Sequence, residues 1–341
     1  MTKYYSAKPV RSIDVLGSFV NMPTSPMRLL LPAMLLGLMA AACSSGAKDD
    51  PNTIVIGPQG DFTPVIAASE QVVGPNRFVV GILDKNNAPV VDAKVHLKFF
   101  DISGQTAVQK FEMDTASVVP ARDSGITEQV MHVHSDGTRH THVNAGDDVG
   151  VYVTNVNFDK AGNWGVEVSV DSSKPKVKGS QRIAFNVIEK AATPLIGTAA
   201  PRSRNLTLAD VSDVTEIDSS AVPLPDLHRT TIADAIAAGR PTVVFFGVPG
   251  YCDSRFCGPE YEIMKKLYPK YRGKVEFIHV EFYKNPGSPE RVQSDTAREW
   301  NLRTEPWFFV VDSRGIITAK FEGPTSLGEL DEELQKLVSG T

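Results

Sequence analysis

Thr242-Val243-Val244-Phe245-Phe246-Gly247-Val248-Pro249-Gly250-Tyr251-Cys252-Asp253-Ser254-Arg255-Phe256-Cys257-Gly258-Pro259 decides how this chain is read. An apolar run of strand length meets two cysteines and then a proline, which suits the first turn of a helix because its missing N–H is no loss there. A thiol reacts as the thiolate, and the unpaired N–H groups of a helix start favour the anion. A thiol redox centre is expected at this junction.

Beyond it the pattern predicts a helix from Pro259 to Tyr271, a strand from Lys274 to Tyr283, a helix from Pro289 to Trp300, strands from Trp307 to Asp312 and Ile316 to Phe321, and a helix from Ser326 to Val338. In the first helix Ile263, Met264, Leu267 and Tyr271 recur at helical spacing, and Gly273 follows its end. Asp312-Ser313-Arg314-Gly315 reads as a hairpin turn. This order, with the cysteines between the first strand and first helix and Glu305-Pro306 ahead of the third strand, resembles the thioredoxin fold.

That resemblance implies a catalytic set of Cys252, Cys257 and Pro306 that needs no dissociable cofactor. Pro306 stands at the family's cis-proline, whose flanking backbone faces the cysteines and can pair with an extended substrate strand; Glu305 precedes it where a smaller residue is usual. Cys257-Gly258-Pro259 matches the start of the family's Cys-Gly-Pro-Cys signature and carries the nucleophile onto Cys257, with Glu260 in place of the resolving cysteine. Counting from the strand end instead puts Cys252 at the first cysteine and leaves four residues between the pair. Because helix geometry sets the local field, Cys257 is expected to be the more acidic thiol and Cys252 its partner, with Arg255 favouring the thiolate and Asp253 and Glu260 opposing it. A disulfide that only staples the loop is the other reading of the pair. Phe245-Phe246-Gly247 is similar to copper chaperones of the Sco type, in which a distant His completes the site; His279, inside an apolar strand, reads here as a packed core histidine.

Near the N-terminus, Leu29 to Ala42 is shorter than the roughly 20 apolar residues of a membrane span and suits a signal peptide behind Met27-Arg28. Ala40-Ala41-Ala42-Cys43 resembles the bacterial lipobox, which implies a lipidated Cys43 as mature N-terminus, with translation starting at Met22 or Met27 rather than Met1. Ser44 follows where an Asp is associated with inner-membrane retention. The expected location is the extracytoplasmic face of a membrane, where disulfides persist.

The chain divides into 1–43, an N-terminal extension and signal; 44–52, a tether; 53–190, a β domain; 191–225, a proline-rich linker or strap; and 226–341, the thioredoxin-like domain. In the β domain the turn signals recur between short strands, and Ala93 to Phe99 alternates apolar with polar residues, as in an antiparallel sheet with one buried face. The corner from Phe158 to Trp164 is similar to immunoglobulin-like domains of exported bacterial proteins. The expected fold class is multidomain: an N-terminal all-β immunoglobulin-like sandwich and a C-terminal α/β thioredoxin-like fold.

Four of the seven histidines, His132, His134, His140 and His142, fall in one hairpin segment. In a strand, residues two apart share a face, so an even cross-strand register gathers all four and makes a site for Zn or Cu, whereas a shift by one residue separates the pairs. The bland reading is a solvated polar hairpin. The formal net charge of -5, without basic blocks, leaves no footprint for nucleic acid. Two functions are expected from these features: a lipid-anchored thiol-disulfide oxidoreductase acting on extracytoplasmic protein substrates, or a metal-binding or copper-delivery lipoprotein.

Overall fold

The computed structural model describes residues 61–124, 149–252, 256–288 and 290–339, with the backbone alone at 130–133 and 139–142. The signal, Cys43 and the tether lie outside these residues, as do His134, Asp253 and Arg255. Among the described residues no helix is long and apolar enough to cross a membrane.

The first half is built of strands β1 (Phe62–Ile66), β2 (Gln71–Val72), β3 (Gly74–Asp84), β4 (Lys94–Asp101), β5 (Val108–Asp114) and β6 (Ala116–Val118), a single-turn helix α1 (Pro120–Ser124), and strands β7 (Val130–Val133), β8 (Arg139–His142), β9 (Val151–Phe158), β10 (Gly162–Ser173) and β11 (Lys176–Ile188). They form one sheet ordered β1-β3-β9-β6, a second ordered β2-β11-β10-β4-β5, and the separate β7-β8 pair. Alternation in β4 sends Val95, Leu97 and Phe99 inward, where they meet Phe78, Phe158 and Trp164. The Phe78 and Phe99 rings meet edge to face at 5.0 Å. Trp164 keeps its indole N–H satisfied by donating to the Lys160 carbonyl at 3.2 Å, the corner that the sequence singles out. In the hairpin His132 is paired with His140, and Val130 with His142, which is the even register.

The second half contains α2 (Ile232–Ala237), β12 (Thr242–Gly247), α3 (Cys257–Tyr271), β13 (Glu276–Glu281), α4 (Asp295–Glu299), β14 (Trp307–Val311), β15 (Ile317–Glu322) and α5 (Leu327–Ser339). The sheet order is β13-β12-β14-β15. β12 runs parallel to β13 and antiparallel to β14. With α3 crossing from β12 to β13 and α5 after β15, this is a thioredoxin-like arrangement. Both faces of the sheet are covered, so β12 is buried throughout: Val243 and Phe245 join the core under α3 and α5, while Val244 and Phe246 join the core under α2 and Trp300.

Two helix boundaries differ from the sequence reading. α3 begins at Cys257, with Phe256 as its N-cap, and Pro259 occupies its third position, where the absent N–H still costs nothing. The helix expected from Pro289 shrinks to α4, because Asn285 and Gly287 take left-handed backbone conformations in a loop that Lys284 N–H closes onto the Val292 carbonyl. Ser294 then caps the helix by accepting the Ala297 N–H.

Between the halves, residues 197–200 lie along the β13-β12-β14-β15 sheet: Ala199 bridges Ile316, and Ala200 N–H donates to the Gly315 carbonyl. The sandwich is joined to α5 through Arg77, whose guanidinium holds Glu329 at 2.7 and 3.1 Å and donates to the Pro324 carbonyl at 2.6 Å. Both side chains are more than two-thirds buried. Arg77→Ala would strand the Glu329 carboxylate, so a loss of about 3 kcal/mol in unfolding free energy is expected. Urea titration checks the loss, and limited proteolysis between the halves should become faster.

A dithiol beside a carboxylate and a buried histidine pair

Cys252 ends the loop after β12, and Cys257 is the first residue of α3. The Cys257 N–H, one of those that no helical carbonyl can accept, donates to Cys252 Sγ at 3.3 Å. Cys257 is fully buried and Cys252 is 8% exposed. Glu305 brings a carboxylate to both sulfurs: the Cys257 thiol donates to Oε2 at 2.6 Å, and the Cys252 thiol to the same oxygen at 3.4 Å. Glu305 precedes Pro306 across a cis peptide, and Pro306 is buried just ahead of β14.

These contacts reverse the expected assignment of the thiols. Burial pushes the Cys257 thiol well up, and the Cys252 sulfur and the Glu305 charge push it in the same direction. The helix start does not offset this, since the Cys257 N–H is directed to Cys252 Sγ rather than to its own sulfur. Geometry thus follows the strand-end alignment, with Cys252 toward the surface and Cys257 behind it. Among the described residues, Cys252, Cys257 and Glu305 offer three ligand atoms within 4.8 Å of one another, so the same set could hold a thiophilic metal ion.

Glu260, three residues into α3, is fully buried, and one of its oxygens accepts the Thr325 N–H at 2.7 Å while the other has no partner. Burial raises its carboxyl well above the usual range, against the Thr325 hydrogen bond. A raised folded-state pKa means that its contribution to stability is complete below the unfolded value, about 4.3, and is lost as pH rises through the folded value. Glu260→Gln should therefore reduce the decline in unfolding free energy between acidic and alkaline buffers, by up to about 1.4 kcal/mol per pH unit inside that window. Urea midpoints measured across pH check this.

A second polar cluster lies deeper. Asp218 comes from the strap, His228 from the turn just after it, and His279 from the middle of β13; all three are buried to within 1% of full enclosure. Asp218 Oδ2 accepts from His228 Nε2 at 3.0 Å and from the Tyr261 hydroxyl at 2.5 Å, and Oδ1 accepts the Ser220 N–H at 3.0 Å. Burial works against the Asp218 anion, yet His228, His279, Ser220 and Tyr261 hold its carboxyl well below the carboxylate range. Neither ring nitrogen of His279 makes a hydrogen bond. The nearby Gly247 carbonyl, which also accepts the Phe282 N–H at 2.9 Å, favours the protonated ring but is not placed for a hydrogen bond of ordinary geometry. Burial holds His279 down to about 4, leaving a neutral ring at pH 7. Between the clusters, Glu281 accepts the Ser219 N–H at 2.5 Å and is pushed up to about 8 by burial.

The sequence points to Cys252, Cys257 and Pro306, and the structure brings them together with Glu305, which the sequence marks only as an unusual neighbour of Pro306. Asp218 and His228 were not signalled: both lie in a segment without periodicity. Of the histidine hairpin, only the backbone register is described.

No family model matches this chain, and no curated protein matches it. Solved structures do. A structure titled as a thiol:disulfide interchange protein DsbE from Chlorobium tepidum shares 14% identity over 43% of this chain and 99% of its own, with a TM-score of 0.30. A second thiol:disulfide interchange protein of the thioredoxin family, from Chlorobium tepidum TLS, shares 15% identity over 44% of this chain and 99% of its own, with a TM-score of 0.26. A CARDB domain from Pyrococcus furiosus, solved in complex with di-metal ions, shares 14% identity over 38% of this chain and 96% of its own, with a TM-score of 0.18. At such scores these likenesses carry no functional argument, and the thioredoxin-like fold of the second half stands on its strand order, its helix crossover and the placement of the cysteines.

Proposed function

We propose that this chain is an exported, lipid-anchored thiol-disulfide oxidoreductase in which Cys252 engages the substrate and Cys257 resolves the intermediate. The observation that carries the reading is the stacking in depth of three groups: Cys252 at the rim, Cys257 N–H directed at its sulfur, and Glu305 on the buried Cys257 thiol.

The Cys252 thiolate attacks a substrate disulfide, forming one S–S bond and releasing one substrate thiolate, which takes a proton from water. Cys257 passes its proton to Glu305 Oε2, which already accepts it as a hydrogen bond. The resulting thiolate attacks Cys252 Sγ, closes the Cys252–Cys257 disulfide and expels the second substrate thiolate. The substrate gains two electrons and the pair loses two; run in reverse, the same steps oxidise a substrate dithiol. No resident cofactor takes part. Pro306 and its neighbours offer backbone to an extended protein substrate, and the first domain, an immunoglobulin-like sandwich on this reading, stands beside the site as an accessory domain.

Catalysed reduction of insulin by dithiothreitol tests the reading. Turnover should be lost in Cys252→Ser and Cys257→Ser alike; wild-type protein without turnover would refute it. Anchoring rests on the lipobox-like sequence ending in Cys43, so Cys43→Ser should move the protein from the membrane fraction to the soluble fraction. A wild-type protein whose mass shows an unmodified Cys43 contradicts the anchor.

A further inference from the structure

The histidine in the middle of β13 has no role in thiol exchange. His279 is buried and neither ring nitrogen has a hydrogen-bond partner. An unsatisfied buried polar group costs about 1–3 kcal/mol, whereas a leucine or phenylalanine would fill an apolar strand position without that cost. What faces it is specific. Asp218 Oδ2 stands 3.9 Å from His279 Nδ1 and 3.0 Å from His228 Nε2, and one donor atom from each residue falls within 4.8 Å of the others. Donors held about 2.0–2.2 Å from a common tetrahedral ion lie roughly 3.3 Å apart, between these two separations. Tyr261 Oη, 2.5 Å from the same Asp218 oxygen, supplies a further oxygen. The chemistry of the set is two neutral imidazoles and one carboxylate, without sulfur, which suits a borderline divalent ion.

We propose that Asp218, His228 and His279 bind one divalent transition-metal ion, represented by Zn²⁺, in a closed site that fastens the strap to β13. Binding displaces the proton shared by His228 Nε2 and Asp218 Oδ2, gives His279 Nδ1 a partner, and leaves the Ser220 N–H on the other Asp218 oxygen to fix the carboxylate. The site shares no ligand with the dithiol.

The test uses the full chain in which Cys252 and Cys257 are changed to Ser and His132, His134, His140 and His142 to Ala, refolded with Zn²⁺ and freed of excess metal. About one Zn²⁺ per chain should be retained, with an X-ray absorption spectrum showing only nitrogen and oxygen neighbours near 2.0–2.2 Å. Stripping with a strong chelator under partly unfolding conditions should lower the melting temperature, and Zn²⁺ should restore it. His279→Leu, which keeps the apolar packing, should weaken retention by at least about 100-fold. No retained Zn²⁺, or equal retention by a folded His279→Leu chain, overturns the proposal. If His279→Leu does not fold, the absorption spectrum decides: a shell without two imidazoles overturns it.

Discussion

Incubated with a protein disulfide, the Cys257→Ser variant is expected to accumulate as a mixed disulfide on Cys252, while Cys252→Ser forms no adduct at neutral pH. The expectation follows from depth. Cys252 reaches the surface, and Cys257 does not. In the Cys252→Ser chain the remaining thiol is still buried and still faces the Glu305 carboxylate, and both push it above the ordinary cysteine range. Its alkylation should become half-maximal only above about pH 8.5, the value for a free cysteine. Removing the carboxylate by Glu305→Gln should move that alkylation profile to lower pH, since a negative neighbour disfavours the thiolate. In the wild-type background Glu305→Gln also removes the acceptor for the Cys257 proton, so resolution of the intermediate should slow even as the thiol becomes more acidic. Either Cys→Ser change should reduce multiple-turnover exchange by at least about 100-fold. Mass spectrometry of quenched mixtures separates the adducts. Adducts on Cys257 would restore the assignment that the helix position alone suggests.

The largest stability effect is expected at Asp218. Its carboxylate accepts from His228, from Tyr261 and from the Ser220 N–H in a region closed to water. Asp218→Ala leaves these donors unsatisfied together, and at about 1–3 kcal/mol each the sum reaches roughly 3–5 kcal/mol once neighbours relax. Tyr261 is on α3 and His228 in the turn after the strap, so loosening should spread along residues 214–228 and toward the start of α3. Hydrogen exchange should show lost protection there before β14 and β15 are affected. An Asp218→Ala protein within about 1 kcal/mol of wild type by urea titration would mean that the cluster is not a keystone of the strap.

Strong, local signals in the sequence are the ones that agree with the structure. The apolar run from Thr242 gives β12, and the spacing of Ile263, Met264, Leu267 and Tyr271 gives the buried face of α3. Alternation from Lys94 gives β4 with Val95, Leu97 and Phe99 inward. What the sequence misplaces depends on depth or on distant contacts. Position relative to Pro259 suggested that Cys257 would feel the helix field most; the helix begins at Cys257, and its free N–H serves the neighbouring sulfur instead. The segment before α4 carries helix-compatible residues, but the left-handed turns at Asn285 and Gly287 and the cap at Ser294 postpone the helix. Asp218 and His228 sit in an aperiodic stretch rich in Pro, Ser and Thr, where no local pattern shows that their side chains meet His279. Glu305 was legible only as a departure beside Pro306, because its contact with the cysteines is made across the fold.

Redox titration of the Cys252–Cys257 pair in glutathione buffers tests the central claim most directly. After equilibration, acid quenching and alkylation, the fraction of chains that have lost two hydrogens as an intramolecular disulfide is read by intact mass. The account predicts a reversible two-electron transition, reached from both the oxidised and the reduced side, in the folded protein. A pair that stays reduced in every buffer, or a disulfide that reforms but is reduced only after unfolding, contradicts it.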